Sequence, residues 1–286
     1  MKALAESRVA IVGLGLMGGS LAGALRGKCR AVVGVARRNE TLTEARAHRL
    51  IDEGTTELAD GVGDADIAIL ATPVRTIIEL ARSIGPLLPA GALLLDLGST
   101  KTDIVSAMAE LPPHVQPLGG HPMCGKELSG ITAADPRLYQ GKTFILTPLP
   151  RTAPDALALG KELVAAIGAQ PLVLEPARHD RLVGVLSHLP YLLACALVRT
   201  ADATTSADPA AWEIVATGFR DTSRVAASDV TMMTDILLTN RDAIIGALAA
   251  YRDQLDFLME LVRAGDEGRL RAVLSEIRAT RKEMFP

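Results

Sequence analysis

The apolar run Arg8–Gly13 closes on Gly13-Leu14-Gly15-Leu16-Met17-Gly18 and passes at once into the helical stretch Ser20–Arg26. A short strand, a G-x-G-x-x-G and an opening helix, in that order, leave few alternative folds. The first glycine permits the tight turn, the second lets backbone approach a pyrophosphate, and the third allows the helix to pack closely while its N-terminus faces phosphate charge. Glycines alone would mean only a flexible turn. Their context predicts a dinucleotide site in which Gly13, Gly15, Met17 and Gly18 form the phosphate-binding turn.

The rest of the first half keeps the same rhythm. Strand-like runs at Arg30–Ala36, Ala65–Thr72, Gly91–Gly98 and Thr143–Thr147 alternate with helical patterns, and Ile67, Ala68, Ile69, Leu70 and Ala71 are continuously apolar, as a strand covered on both faces requires. The predicted class is α/β: a Rossmann-like, doubly wound, mostly parallel sheet. A helix over Asp155–Ile167, stopped by Gly168, and a strand over Pro171–Leu174 extend it, so the first domain is expected to span residues 1–174. After Pro176 strand signals stop. Helical text over Arg178–Thr204, Pro209–Ala226, Met232–Ala264 and Gly268–Lys282 predicts an all-helical second domain, 175–286, with a loop near Ala201–Pro209. Leu248, Leu255, Leu258, Met259 and Val262 form one apolar stripe, which points to a homodimer through the C-terminal helices; an ordinary intrachain core is the other reading.

Composition narrows the partners. Among 286 residues, 30 Lys plus Arg stand against 33 Asp plus Glu, a net charge of −3 that offers no basic field for nucleic acid. Three cysteines at Cys29, Cys124 and Cys195 form no metal spacing and no disulfide framework, so a reducing cytoplasmic location without a metal is expected. No secretory leader is read at the N-terminus, and no apolar run is read as long enough for a bilayer.

The end of the second strand bears on which dinucleotide binds. An NAD site usually carries an acidic residue there for the ribose 2′-hydroxyl, whereas this chain has Ala36-Arg37-Arg38. Guanidinium groups grip a phosphate in bidentate fashion, so NADP is expected to be preferred with NAD still possible; Arg37 and Arg38 as solvated loop charges is the alternative. Thr41 adds a hydroxyl, and Glu40 counts slightly against this reading. Ligands of open parallel sheets lie beyond the strands' carboxyl ends, which brings in Thr72, Pro73, Ser99 and the segment Gly119–Glu127. His121, flanked by glycines and proline, is expected in a loop. Imidazole accepts a hydroxyl proton near neutral pH, with Ser99 a candidate to orient the ring.

Gly119–Gly130 (GGHPMCGKELSG), Ser187-His188-Leu189-Pro190 and Gly218–Arg224 (GFRDTSR) together resemble the prephenate/arogenate dehydrogenases of tyrosine biosynthesis, in the right order over nearly the whole chain. The resemblance implies oxidative decarboxylation of a cyclohexadienol, giving 4-hydroxyphenylpyruvate from prephenate or tyrosine from arogenate. It implies that His121 bonds the 4-hydroxyl, that Ser99 supports it beside the nicotinamide, and that Arg224 holds a substrate carboxylate. Arg220, one helical turn before Arg224, is either a second pocket cation or a surface charge. Glu127 matches an acidic residue near the pocket mouth, with a solvated loop charge as the alternative, and His188 is either substrate-facing or a buried structural imidazole. His179 precedes Asp180, as a structural pair or as pocket wall. Many prephenate-specific members carry tryptophan where this chain has Met233, and some carry histidine at Tyr191. With Arg37-Arg38, these departures resemble the NADP-using arogenate branch.

Two other readings compete. The glycine motif also opens β-hydroxyacid dehydrogenases, but their G-x-x-x-N-x-x-K pattern is missing from the sequence. A catalytically silent nucleotide-sensing dimer is disfavoured by His121, Ser99 and Arg224 being present together.

Overall fold

The computed structural model describes residues 1–126 and 128–285. Eight strands form one sheet in the order β3-β2-β1-β4-β5-β6-β7-β8. They are β1 (Arg8–Val12), β2 (Ala31–Val35), β3 (Glu53–Thr55), β4 (Ile67–Leu70), β5 (Leu93–Asp96), β6 (Gln116–Pro122), β7 (Thr143–Pro148) and β8 (Gln170–Val173). Strands β1 to β6 run parallel; β7 pairs antiparallel to β6, and β8 is parallel to β7.

Alternate residues of the central strands enter two cores. Val9, Ile11, Ile67, Ile69, Leu93 and Leu95 face α1 (Leu16–Leu25), α2 (Asn39–Ala47) and α6 (Pro154–Ala166). Ala10, Val12, Ala68, Leu70 and Leu94 face α3 (Leu58–Val62), α4 (Val74–Ile84) and α5 (Thr102–Ala109). Coverage on both faces explains why these strands read as uninterrupted apolar runs. The predicted Rossmann-like sheet followed by helices is the architecture observed.

Strand β6 corrects the expectation of a loop at His121. Prolines at 117 and 122 and the glycines at 119 and 120 disguise it. Gly120 is needed for close approach: a Cβ there would lie 2.5 Å from the Asp96 carbonyl oxygen. His121 thus rides on a strand pinned between β5 and β7, pairing with Ile145.

The helical part comprises α7 (Pro176–Val183), a π-turn (Gly184–His188), α8 (Leu189–Thr205), α9 (Thr217–Ser223), α10 (Val230–Thr239), α11 (Arg241–Ala264) and α12 (Glu267–Met284). Helix α8 runs to Thr205, past the expected start of a loop at Ala201, and α9 occupies only part of the helix expected over Pro209–Ala226. Arg224 opens a 3-10 turn after α9, so Arg220 and Arg224 do not share one α-helix. A further correction concerns the run Pro176–Thr205, which is long and apolar enough, by length and composition, to cross a membrane.

Two carboxylates dock the helices on the carboxyl edge of the sheet. Asp180 of α7 accepts the backbone N–H groups of Lys101 and Thr102 at the start of α5, at 2.7 and 2.8 Å. Asp235 of α10 accepts the Arg75 N–H at the start of α4, at 3.1 Å. Each places negative charge at the positive end of a helix dipole.

Candidate active site

The turn after β1 has the shape the glycine motif demands. Gly13 sits at φ +100°, in the left-handed region, and donates its N–H to the Val35 carbonyl at 2.9 Å. A Cβ at Gly18 would lie 1.8 Å from the Gly13 carbonyl oxygen, whereas one at Gly15 would meet nothing within 4 Å. The backbone at Gly15 therefore faces open space at the N-terminus of α1, where four N–H groups are free of helical partners. The Tyr139 hydroxyl donates to the Met17 carbonyl at 2.7 Å and braces the turn. At the end of β4 the Thr72 hydroxyl is buried without a hydrogen-bond partner among the described residues, and Pro73 lies beside it, exposed. An open cradle and an orphaned hydroxyl on the same sheet edge fit a dinucleotide. Arg37 and Arg38 are exposed, with no ion pair or hydrogen bond among the described residues, and Thr41 lies half-buried in the first turn of α2.

His121, at the carboxyl end of β6, is half-buried. Its Nδ1 lies 2.8 Å from Nε2 of His179, whose Nδ1 in turn lies 2.8 Å from Oδ1 of Asp180. The two rings meet edge to face, with centroids 5.0 Å apart. Burial, then the neighbouring His179, Lys101 and His188, hold the His121 imidazole well below its usual pKa, which keeps it a free base at neutral pH. Ser99, half-buried between β5 and α5, makes no hydrogen bond to His121 among the described residues; the orienting contact expected from Ser99 comes from His179.

Beneath His121 lies a buried ion pair that sequence reasoning missed. The Lys101 ammonium bonds the Asp96 carboxylate and donates to the Gly120 carbonyl at 2.7 Å. Asp96 accepts the N–H of Gly98 at 2.7 Å and of Gly120 at 3.0 Å. Burial lowers the Lys101 pKa, against the attraction of Asp96 and Asp180.

His188, in the π-turn, is buried, and burial pulls its pKa down to about 4. The Asn240 amide donates to its Nδ1 at 3.1 Å and to the Asp180 carbonyl at 2.8 Å. Asn240, also missed, joins α10 to α7 and has no local sequence signature. Tyr191 is half-buried in the first turn of α8, and Met233 is buried in α10, which packs on α4. Arg220 and Arg224 are exposed on α9 and the turn after it, a segment that packs on α8. Glu127 lies outside the described residues.

A Rossmann-like sheet with a glycine turn after one strand and a histidine at the carboxyl end of another fits an NAD(P)-dependent dehydrogenase. Residues 21–173 match the family model of the prephenate dehydrogenase nucleotide-binding domain, and residues 175–276 that of the prephenate dehydrogenase dimerization domain. A crystal structure of prephenate dehydrogenase from Aquifex aeolicus, in complex with hydroxyphenyl propionate and NAD+, is similar with a TM-score of 0.92 at 34% identity, covering 99% of this chain and 100% of that one. Synechocystis arogenate dehydrogenase gives 0.85 at 31%, covering 97% and 99%. The Bacillus subtilis prephenate dehydrogenase is 32% identical over 265 residues, 91% of this chain and 71% of that protein. The chain belongs to the prephenate dehydrogenase family.

Proposed function

We propose that the protein oxidatively decarboxylates a cyclohexadienol of the prephenate/arogenate type, with arogenate and NADP preferred. The observation that carries this reading is the His121 imidazole, held unprotonated at the carboxyl edge of the nucleotide-binding sheet, with no hydrogen bond to its Nε2 among the described residues. Gly13, Gly15, Gly18, Met17, Thr72 and Pro73 would hold the dinucleotide, which supplies the hydride acceptor.

His121 Nε2 takes the hydroxyl proton as hydride leaves the same ring carbon. The bond from the ring to its carboxylate then breaks, CO₂ departs, and its electron pair makes the ring aromatic. The proton held by His121 returns to the phenolate oxygen, so no net proton is consumed. Ser99 hydrogen-bonds the substrate hydroxyl region beside His121, and Arg224 grips a substrate carboxylate with its planar fork. Arg220, His188, Tyr191, Met233 and Glu127 surround the side-chain end of the substrate.

The preference for NADP rests on Ala36-Arg37-Arg38, where exposed guanidinium groups stand in place of the carboxylate that would repel a 2′-phosphate. The preference for arogenate rests on Met233 and Tyr191. A homodimer is supported by apolar side chains left exposed on the helices, among them Leu186 at 75%, Val262 at 69% and Ile245 at 58%. A second copy, rather than a bilayer, would then cover the apolar helix Pro176–Thr205, since His179, Asp180 and His188 tie that helix into the active site. Unpaired Cys29, Cys124 and Cys195 suit a cytoplasmic protein. Initial rates with arogenate and prephenate, each with NADP+ and NAD+, test the reading: the fastest pair is arogenate with NADP+, and a strong preference for prephenate with NAD+ overturns the choice of branch.

A further inference from the structure

We propose that His179 and Asp180 act as positioning residues that fix the tautomer of His121, holding its proton on Nδ1 so that the Nε2 lone pair is the one presented for proton transfer. The inference rests on reading His121 as the base, and it follows from donor and acceptor accounting along one line of contacts. Asp180 receives the Lys101 and Thr102 N–H groups and lies 2.8 Å from His179 Nδ1. Burial opposes its ionisation, but the hydrogen bonds from His179 and from Thr102 and Lys101 outweigh burial and hold the carboxyl below its usual range.

An ionised carboxylate only accepts, so His179 must donate from Nδ1. With that one N–H on Nδ1, His179 presents Nε2 as an acceptor to His121 Nδ1 at 2.8 Å. His121 therefore carries its proton on Nδ1, the opposite of the tautomer that prevails for histidine free in water. Once His121 accepts a second proton, the Nδ1–H already points along the line to Asp180, whose charge stabilises the imidazolium. The other charged or titratable groups facing this line are Lys101, compensated by Asp96, together with His188 from the π-turn and Asp103 on α5. The sequence offered the adjacency of His179 and Asp180 but nothing that joined them to His121, 58 positions away.

Long-range proton–nitrogen spectra of the imidazole-labelled protein at neutral pH read the tautomer without turnover. The expected result is Nδ1–H for His121 in the wild type and in His179→Gln, which keeps a carbonyl acceptor, and a change to Nε2–H in His179→Leu. Turnover of the Leu variant should fall on the order of 10²-fold, with KM for the substrate within about threefold and partial rescue by Gln. An Nε2–H signal for wild-type His121 overturns the proposal even if His179→Leu fails to fold, as does a folded Leu variant with unchanged turnover. A wild type inactive on both substrates would defeat the dehydrogenase reading instead, while its spectrum still decides the tautomer.

Discussion

Lys101 and Asp96 form an ion pair in which neither side chain is exposed, and the same ammonium donates to the carbonyl of Gly120, the residue before His121. The pair ties the end of β5 to β6 and so fixes the backbone next to His121 at the carboxyl edge of the sheet. Removing one partner of a buried pair leaves the other charged and uncompensated, which costs about 3–5 kcal/mol. Lys101→Met should lower the free energy of urea unfolding by that amount; a loss below about 1 kcal/mol would mean that Asp96 is satisfied by its backbone donors alone.

Gly15 and Gly18 separate binding from folding. A methyl at Gly15 enters open space, so Gly15→Ala should keep the wild-type melting temperature while weakening dinucleotide binding at least about tenfold, because the methyl occupies the approach of the pyrophosphate. Gly18→Ala puts its methyl against the Gly13 carbonyl and should lower both melting temperature and binding. Nucleotide titration alongside thermal melts distinguishes the two effects.

Arg37 and Arg38 are expected to act on one phosphate only. Replacing both with alanine should raise the Kd for NADP+ by roughly 10- to 150-fold, the loss of one or two charge-assisted hydrogen bonds, while changing that for NAD+ less than about threefold. Equal changes for both nucleotides would make them ordinary surface charges.

His188 gives stability a defined pH dependence. Its folded-state pKa, about 4, lies below the ordinary 6.5, so the folded protein binds fewer protons than the unfolded chain between these values. The contribution is fully present above pH 6.5 and is lost as pH falls toward 4, by roughly 3 kcal/mol. Urea midpoints measured from pH 7 to 4 should fall more steeply for the wild type than for His188→Gln; parallel curves would show that His188 is protonated without cost.

Much of this was legible in the sequence, because strands such as Ile67–Leu70, buried on both faces, carry an unmistakable local pattern. The glycine turn was legible for the same reason: its three positions have separate steric duties. Strand β6 was hidden because the residues that let it lie close to Asp96 and Thr147 are the glycines and prolines that ordinarily break strands. The partner of His121 was hidden because a hydrogen bond between β6 and α7 leaves no periodicity in either segment. The Asp180 and Asp235 caps escaped notice too, since each stands at the start of a helix distant in sequence. Arg224 was legible through family resemblance alone, since no spacing in the sequence singles out an arginine in the turn after α9.

The most direct test is steady-state turnover of His121→Asn with arogenate and NADP+. Asparagine keeps a polar side chain of similar size and loses the proton acceptor, so kcat should fall by about 10² to 10⁴ with the substrate KM changed less than about threefold. A variant turning over within about threefold of the wild type would show that residue 121 accepts no proton, and would contradict the mechanism at its centre.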